Sequence, residues 1–177
     1  MVFNALMFRN VAGSPSDPVS TWHHEVIVSI LSYGGANEYS PVINEIFADP
    51  WGTIARSVEE ILEHVDPENE DDTVHPGTAA LFSHGLRLAR EEAEVEEASV
   101  VAAELGRLVD ASGLSRTDFA SRLGTTASRL STYLSAKVSP RASLMIRARR
   151  IAGQAAPLDG TLSLSTAAFR AERLRRS

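Results

Sequence analysis

Between Leu114 and Ile151 the sequence concentrates side chains suited to binding an anion that also offers hydrogen-bonding edges. Arg116, Arg129, Lys137 and Arg141 bring positive charge, and Thr126, Ser128, Thr132 and Ser135 bring hydroxyls that donate and accept. A guanidinium is a planar fork that fits a phosphate, or the O6 and N7 of guanine together. Bond-making chemistry is not provided for. The chain has no cysteine, hence no disulfide, thiolate nucleophile or thiolate metal site. Its histidines, His23, His24, His64, His75 and His84, are scattered, and the adjacent His23 and His24 point apart on a helix. No G-x-S-x-G elbow and no phosphate-cradling glycine loop occurs. No cofactor, metal or enzymatic activity is therefore expected.

The elements that would position these side chains are short helices. Ser115 is an N-cap, with Asp118 three places on as a variant of the capping box, and it predicts a helix over 116–123 that buries Phe119 and Leu123. Gly124 supplies the permissive residue past its end. Thr125 is then expected to cap a second helix over 126–136, with Leu130, Tyr133 and Leu134 facing inward. Ser139-Pro140 reads as an N-cap followed by proline in the first helical position, starting a helix whose face Leu144, Ala148, Ile151 covers the pair. Two short helices across a tight turn are the plan of a helix-turn-helix.

Over roughly 100–152 the chain resembles the Cro/repressor family of small DNA-binding domains, the xenobiotic-response-element type. The residues that carry the likeness are L-S-x-x-x-F-A-x-x-L-G-T-T-x-S-x-L-S-x-Y-L-S-x-K-x-x-P, from Leu114 to Pro140. One departure stands at Leu134-Ser135-Ala136, where the family often has Glu-x-Gly. The resemblance implies that the second helix enters the major groove with its N-terminal residues on base edges. Those positions are Thr126, Ala127, Ser128 and Arg129, with Thr132 one turn on. Arg129 is the strongest candidate for reading a base, and Ala127 offers only apolar contact, for instance to a thymine methyl. Arg116 matches a family position that reaches the DNA backbone. Ser135, Lys137 and Arg141 are further phosphate candidates. Arg147, Arg149 and Arg150 fall partly away from that face, and Tyr133 reads as core.

The net charge of −6 conceals a division. Residues 1–98 hold 4 Arg against 18 Asp and Glu, a net of −14; residues 99–177 hold 13 Lys and Arg against 5 acids, a net of +8. Such asymmetry is the pattern expected when one half meets nucleic acid; the blander alternative is that the two halves attract each other within one molecule. The expected plan is all-α: an acidic helical domain over 1–98, for dimerisation or partner binding, and a helix-turn-helix domain over 99–177 with a basic tail. No apolar run is long enough for a membrane span, and no secretion signal is visible, so a cytoplasmic location is expected.

In the first half, Trp22, Val26, Ile30 and Leu31 predict a helix over 18–33, capped by Ser20 or Thr21. A second is expected over 39–47, and a third over 51–65, capped by Asp49, with the stripe Ile54, Val58, Ile61, Leu62, Val65. Trp22 and Trp51 are expected in the core. DPENEDD, 66–72, reads as an exposed loop. From Pro76 to Ser112 only Gly85 and Gly106 interrupt strong helix formers, so either one long helix or a break near Glu97–Ser99 is expected, with Arg87–Glu91 and Arg90–Glu94 as i, i+4 pairs. A last short helix is expected over 166–175.

The expected function is a sequence-specific transcriptional regulator, a repressor, bound to double-stranded DNA as a homodimer. Two alternatives stay open. One is an antitoxin that controls its own operon and masks a toxin with residues 1–98; separately, the stretch FRNVAGSPSDPVSTW (8–22) with DPWGTIARSVEEIL (49–62) resembles a segment attached to repressor-like domains in actinobacterial proteins, a likeness that implies no activity. The other is an interaction protein whose helix-turn-helix no longer binds DNA.

Overall fold

The computed structural model describes residues 5–9, 11–66, 68–69 and 73–155. The helix expected over 166–175, and most of the acidic run 67–72, lie outside the described residues. The described chain is all-α, with no strand: α1 His24–Tyr33, α2 Ala36–Ala48, α3 Thr53–Leu62, α4 Pro76–Ala111, α5 Arg116–Leu123, α6 Ala127–Leu134 and α7 Ala142–Ala155, preceded by two short 3-10 turns. Contacts divide it into two compact units, with the boundary after Glu96. Among the described residues no helix is long and apolar enough to cross a membrane.

The N-terminal unit is built on α1, whose Val26, Ile27, Ile30 and Leu31 are buried on the inward face. The helix begins later than its apolar spacing suggests. Residues 19–21 form a 3-10 turn, Trp22 is extended, and the ring of His23 caps α1 by accepting the Glu25 N–H at 3.3 Å. Trp22 is in the core, edge-on to Phe8 with ring centroids 5.3 Å apart, and its indole N–H donates to the Asp17 carbonyl at 3.1 Å. α2 starts three residues ahead of expectation, because the Glu38 carboxylate accepts the Gly35 N–H at 3.0 Å and closes the first turn. Its Val42 and Ile46 meet Ile54, Val58 and Ile61 of α3 in one core. The cap of α3 is Gly52, not Asp49; the Asp49 carbonyl instead accepts the Gly52 N–H at 3.0 Å, making a turn before the helix. That turn leaves Trp51 43 % exposed, against the expectation of a core residue, while Pro50 is buried beneath it.

α4 runs unbroken through 97–99, with both glycines inside it. Phe82, Leu86 and Ala89 on its N-terminal part belong to the first core, where Tyr39 stands edge-on to Phe82 at 5.3 Å. The pair Arg87–Glu91 forms at 2.8 Å. The expected pair Arg90–Glu94 does not. Arg90 follows the buried Ala89 and turns toward α3, where it holds both oxygens of Glu59 at 2.7 and 2.9 Å and donates to the Pro50 carbonyl at 3.3 Å. A two-pronged contact to a half-buried carboxylate outcompetes a solvent-exposed neighbour one turn away. Hydrogen bonding from Arg90 is the main cause that holds the Glu59 carboxyl below its ordinary range; partial desolvation opposes it.

The linkage has a defined sign. A carboxyl with a lowered folded-state pKa stabilises the fold above its ordinary pKa, and that contribution disappears as pH falls through the folded value. Glu59→Gln is expected to destabilise the protein by about 1 kcal/mol at pH 7, a figure discounted for the 43 % exposure of the carboxylate. Near pH 3 the gap to wild type should have closed substantially. Denaturant unfolding at the two pH values checks this, and an equal deficit at both would refute the role given to the pair.

Candidate nucleic-acid interface

The second unit holds the side chains singled out above, and its core explains how they are aimed. Leu105 and Val109 of α4, Phe119 and Leu123 of α5, Leu130 and Tyr133 of α6, and Leu144, Met145, Ala148 and Ile151 of α7 make one buried cluster. Ser115 caps α5: its hydroxyl accepts the Asp118 N–H at 3.1 Å and donates to the Asp118 carboxylate at 2.6 Å. In a full capping box the acid would reach the Ser115 backbone N–H. Aspartate, one methylene shorter than glutamate, meets the hydroxyl instead. Gly124 closes α5 in the left-handed region at φ 78°, and the Thr125 N–H returns to the Ala120 carbonyl at 2.9 Å.

The turn is one residue longer than the sequence suggests. Thr126, not Thr125, is the N-cap of α6; it is extended, and its hydroxyl accepts the Arg129 N–H at 3.2 Å. The helix expected over 126–136 is therefore Ala127–Leu134. Its far end repeats the closure of α5: the Lys137 N–H returns to the Thr132 carbonyl at 3.2 Å across Ala136, which sits at φ 56°. The alanine thus takes up a left-handed conformation that glycine ordinarily supplies. Ser139-Pro140 does not start α7, which begins at Ala142, after the Arg141 carbonyl accepts the Leu144 N–H at 2.8 Å.

At about 100° per residue, the buried Leu130 and Tyr133 and the half-buried Leu134 define one side of α6, and Ser128 and Thr132 lie opposite. Ser128 and Ser131 are exposed on that outer arc and Thr132 is half-buried, while Ala127, also exposed, opens the helix on the Leu134 side. The Thr132 hydroxyl donates to the Ser128 carbonyl at 3.1 Å, and the Ser135 hydroxyl donates to the Thr132 carbonyl at 3.1 Å. Two grooves flank the arc. Arg116 and Ser135 line one of about 500 Å³, together with Leu134, Ala136 and α4 residues such as Gly106 and Asp110. Thr126, Arg129 and Arg141 line another, of about 630 Å³. Thus the structure groups the expected residues into an outer face and two flanks, with exposed Lys137 just past the end of the helix.

Arg129 is anchored. Its Nε donates to the Tyr133 hydroxyl at 2.9 Å, so the core tyrosine also holds an interface side chain. The second groove contains a residue that sequence reasoning set aside, Arg147 of α7, whose Nε donates to the Ser143 carbonyl at 3.4 Å. Its position next to the buried Ala148 was the available signal, since it puts Arg147 at the edge of the packed face. Arg149 is a structural partner instead, bonded to Glu104 of α4 at 2.8 Å. Among the described residues Arg116, Arg129, Lys137, Arg141 and Arg147 pair with no carboxylate.

Among the described residues no group of three His, Asp or Glu side chains is placed to hold a metal ion. His23 and His75 accept backbone N–H groups of Glu25 and Gly77 at 3.3 and 3.0 Å, which are local capping contacts. No protein-family model, curated protein or solved structure matches the chain.

The left-handed alanine makes a prediction. A side chain in that region costs about 1–3 kcal/mol, offset in part by the extra unfolded-state freedom of glycine. Ala136→Gly is expected to stabilise the protein by about 1 kcal/mol, read as a higher denaturant midpoint at unchanged slope. A lower midpoint would show that the loop is not under strain there.

Proposed function

We propose that residues 99–177 form a Cro/repressor-type DNA-binding domain, and that the chain is a sequence-specific transcriptional regulator, a repressor. The observation that carries this reading is the outer arc of α6, flanked by Arg116 on one side and by Arg129 and Arg141 on the other, cations that pair with no carboxylate among the described residues. In this reading α6 lies in the major groove. Ala127, Ser128 and Thr132 face base edges, while Arg116, Ser135, Lys137 and Arg141 meet the sugar-phosphate backbone. Arg129, with its Nε committed to Tyr133, keeps its two terminal nitrogens for a nucleic-acid acceptor.

One such module reads few base pairs, so a dimer on a two-fold site is part of the proposal. The N-terminal unit would supply the contact. It exposes Tyr33 at 81 %, Leu81 at 45 % and Trp51 at 43 %, side chains of the kind that associate. The net charge of −14 over residues 1–98 supports a second reading, an antitoxin that binds a basic toxin there and DNA with its other half.

The test is binding of the purified chain to its own upstream DNA and to a random duplex across a salt series. Selective binding that weakens steeply with salt is expected, because cations at the interface release counterions from the phosphates. Arg116→Ala with Arg129→Ala should cost on the order of tenfold or more in affinity, about 1.4 kcal/mol, with the circular dichroism spectrum unchanged. Equal affinity for both duplexes at every salt concentration would refute the proposal.

A further inference from the structure

The groove beside α6 has an unusual lining. Three arginines line it from three elements: Arg129 from the first turn of α6, Arg141 from the segment before α7, and Arg147 from α7 itself. The hydroxyl residues Thr125, Thr126, Ser139 and Ser143 complete its polar wall, and Tyr133, Val138 and Leu144 make it partly apolar. No acidic residue is among them. Elsewhere on α7 a structural arginine has a carboxylate partner, as Arg149 has Glu104. Like charges gathered in one concavity repel one another, and an anion between them reverses the sign of that interaction.

We infer that this cleft is a seat for a backbone phosphate of DNA, and that Arg129 and Arg147 serve it together with Arg141. The inference rests on the DNA-binding reading above and changes the part Arg129 plays in it. Three observations support the assignment. First, Arg129 lies on the flank of α6, about 60° round the helix from Thr132 and about 100° from Ser128, not at the centre of the outer arc. Second, its Nε is fixed to the Tyr133 hydroxyl, which holds the guanidinium on the side of the cleft. Third, an Arg147 Nη atom lies against the turn, 3.2 Å from where a Cβ on Gly124 would stand, so this charge sits over the α5–α6 connection. Arginine is the residue suited to two-pronged phosphate contact, and neighbouring hydroxyls can donate to the remaining oxygens. Sequence preference then resides in Ala127, Ser128 and Thr132, which carry no charge.

Salt dependence separates the roles. For duplex DNA the logarithm of affinity falls with the logarithm of salt by about 0.9 per phosphate contact. Arg147→Gln and Arg129→Gln, which keep much of the aliphatic stem, should each reduce that slope by about 0.9 and weaken cognate and random duplexes by the same factor. Ser128→Ala should change base preference and leave the slope alone. Arg149→Gln, at the paired arginine, is the control and should leave both alone. An unchanged slope in Arg147→Gln would overturn the inference. So would an Arg129→Gln protein that loses preference at one base pair at unchanged slope, since that is the mark of base reading. Inorganic phosphate supplies a further arm: if it raises the melting temperature of wild type but not of Arg147→Gln, while the DNA slope of the variant matches wild type, the cleft holds a free anion and not the duplex. A wild-type protein without salt-dependent DNA binding would refute the functional reading itself, and the inference with it.

Discussion

Phe119, Leu123 and Leu130 are closed off from water, and the C-terminal unit depends on that fact. Each contributes about 1.5–3 kcal/mol by burial. Because they sit on short helices, burying them together leaves little freedom in how α5 and α6 meet. Leu105 from α4 and Ala148 from α7 close the cluster on its other sides. Once α6 is held by Leu130 and Tyr133, its opposite side has nowhere to face but outward. The polar character of that side then follows from geometry: a face that cannot pack can be given to a ligand.

Tyr133 links the core to the surface. Its ring is part of the core, and its hydroxyl would be costly to bury without a partner. The partner is a charged side chain at the surface, so a core requirement and the placement of Arg129 are met by the same bond. In the other unit Arg90 does something similar, tying α4 to α3 through Glu59 and to the turn at Pro50. In both cases a long cationic side chain at the margin of the core is directed by hydrogen bonds.

Much of this was legible in the sequence, for definite reasons. Helices were recognisable where apolar residues recur every three or four places, as at Ile54, Val58 and Ile61, because that period survives whatever else the chain does. Helix ends were less so. Thr125 and Thr126 are equally good caps on paper, and only the route of the chain past Gly124 selects the second. Ser139-Pro140 has the composition of a helix start, yet residues 139–141 belong to no helix and α7 begins only at Ala142. Partner choice was hidden for the same reason. Arg90 has Glu94 one turn away in sequence, but Glu59 becomes a neighbour only after α3 and α4 pack. Tryptophan is a residue expected in a core, whereas the turn from Asp49 to Gly52 decides the exposure of Trp51. The grouping around Arg147 needed α7 to be placed against the α5–α6 turn, which no local pattern encodes.

Lys137 has a further consequence. It is the single lysine of the chain, the other basic residues being arginines. It lies exposed just beyond α6, with no carboxylate partner among the described residues. An amine-directed reagent therefore meets one side chain, and that side chain borders the face on which the proposed function rests. A fluorophore or an acyl group can be installed there without mutagenesis, as a reporter of whether the face is covered. Enzymatic acylation in a cell would find the same lone target, and it would remove charge from this surface and from no other.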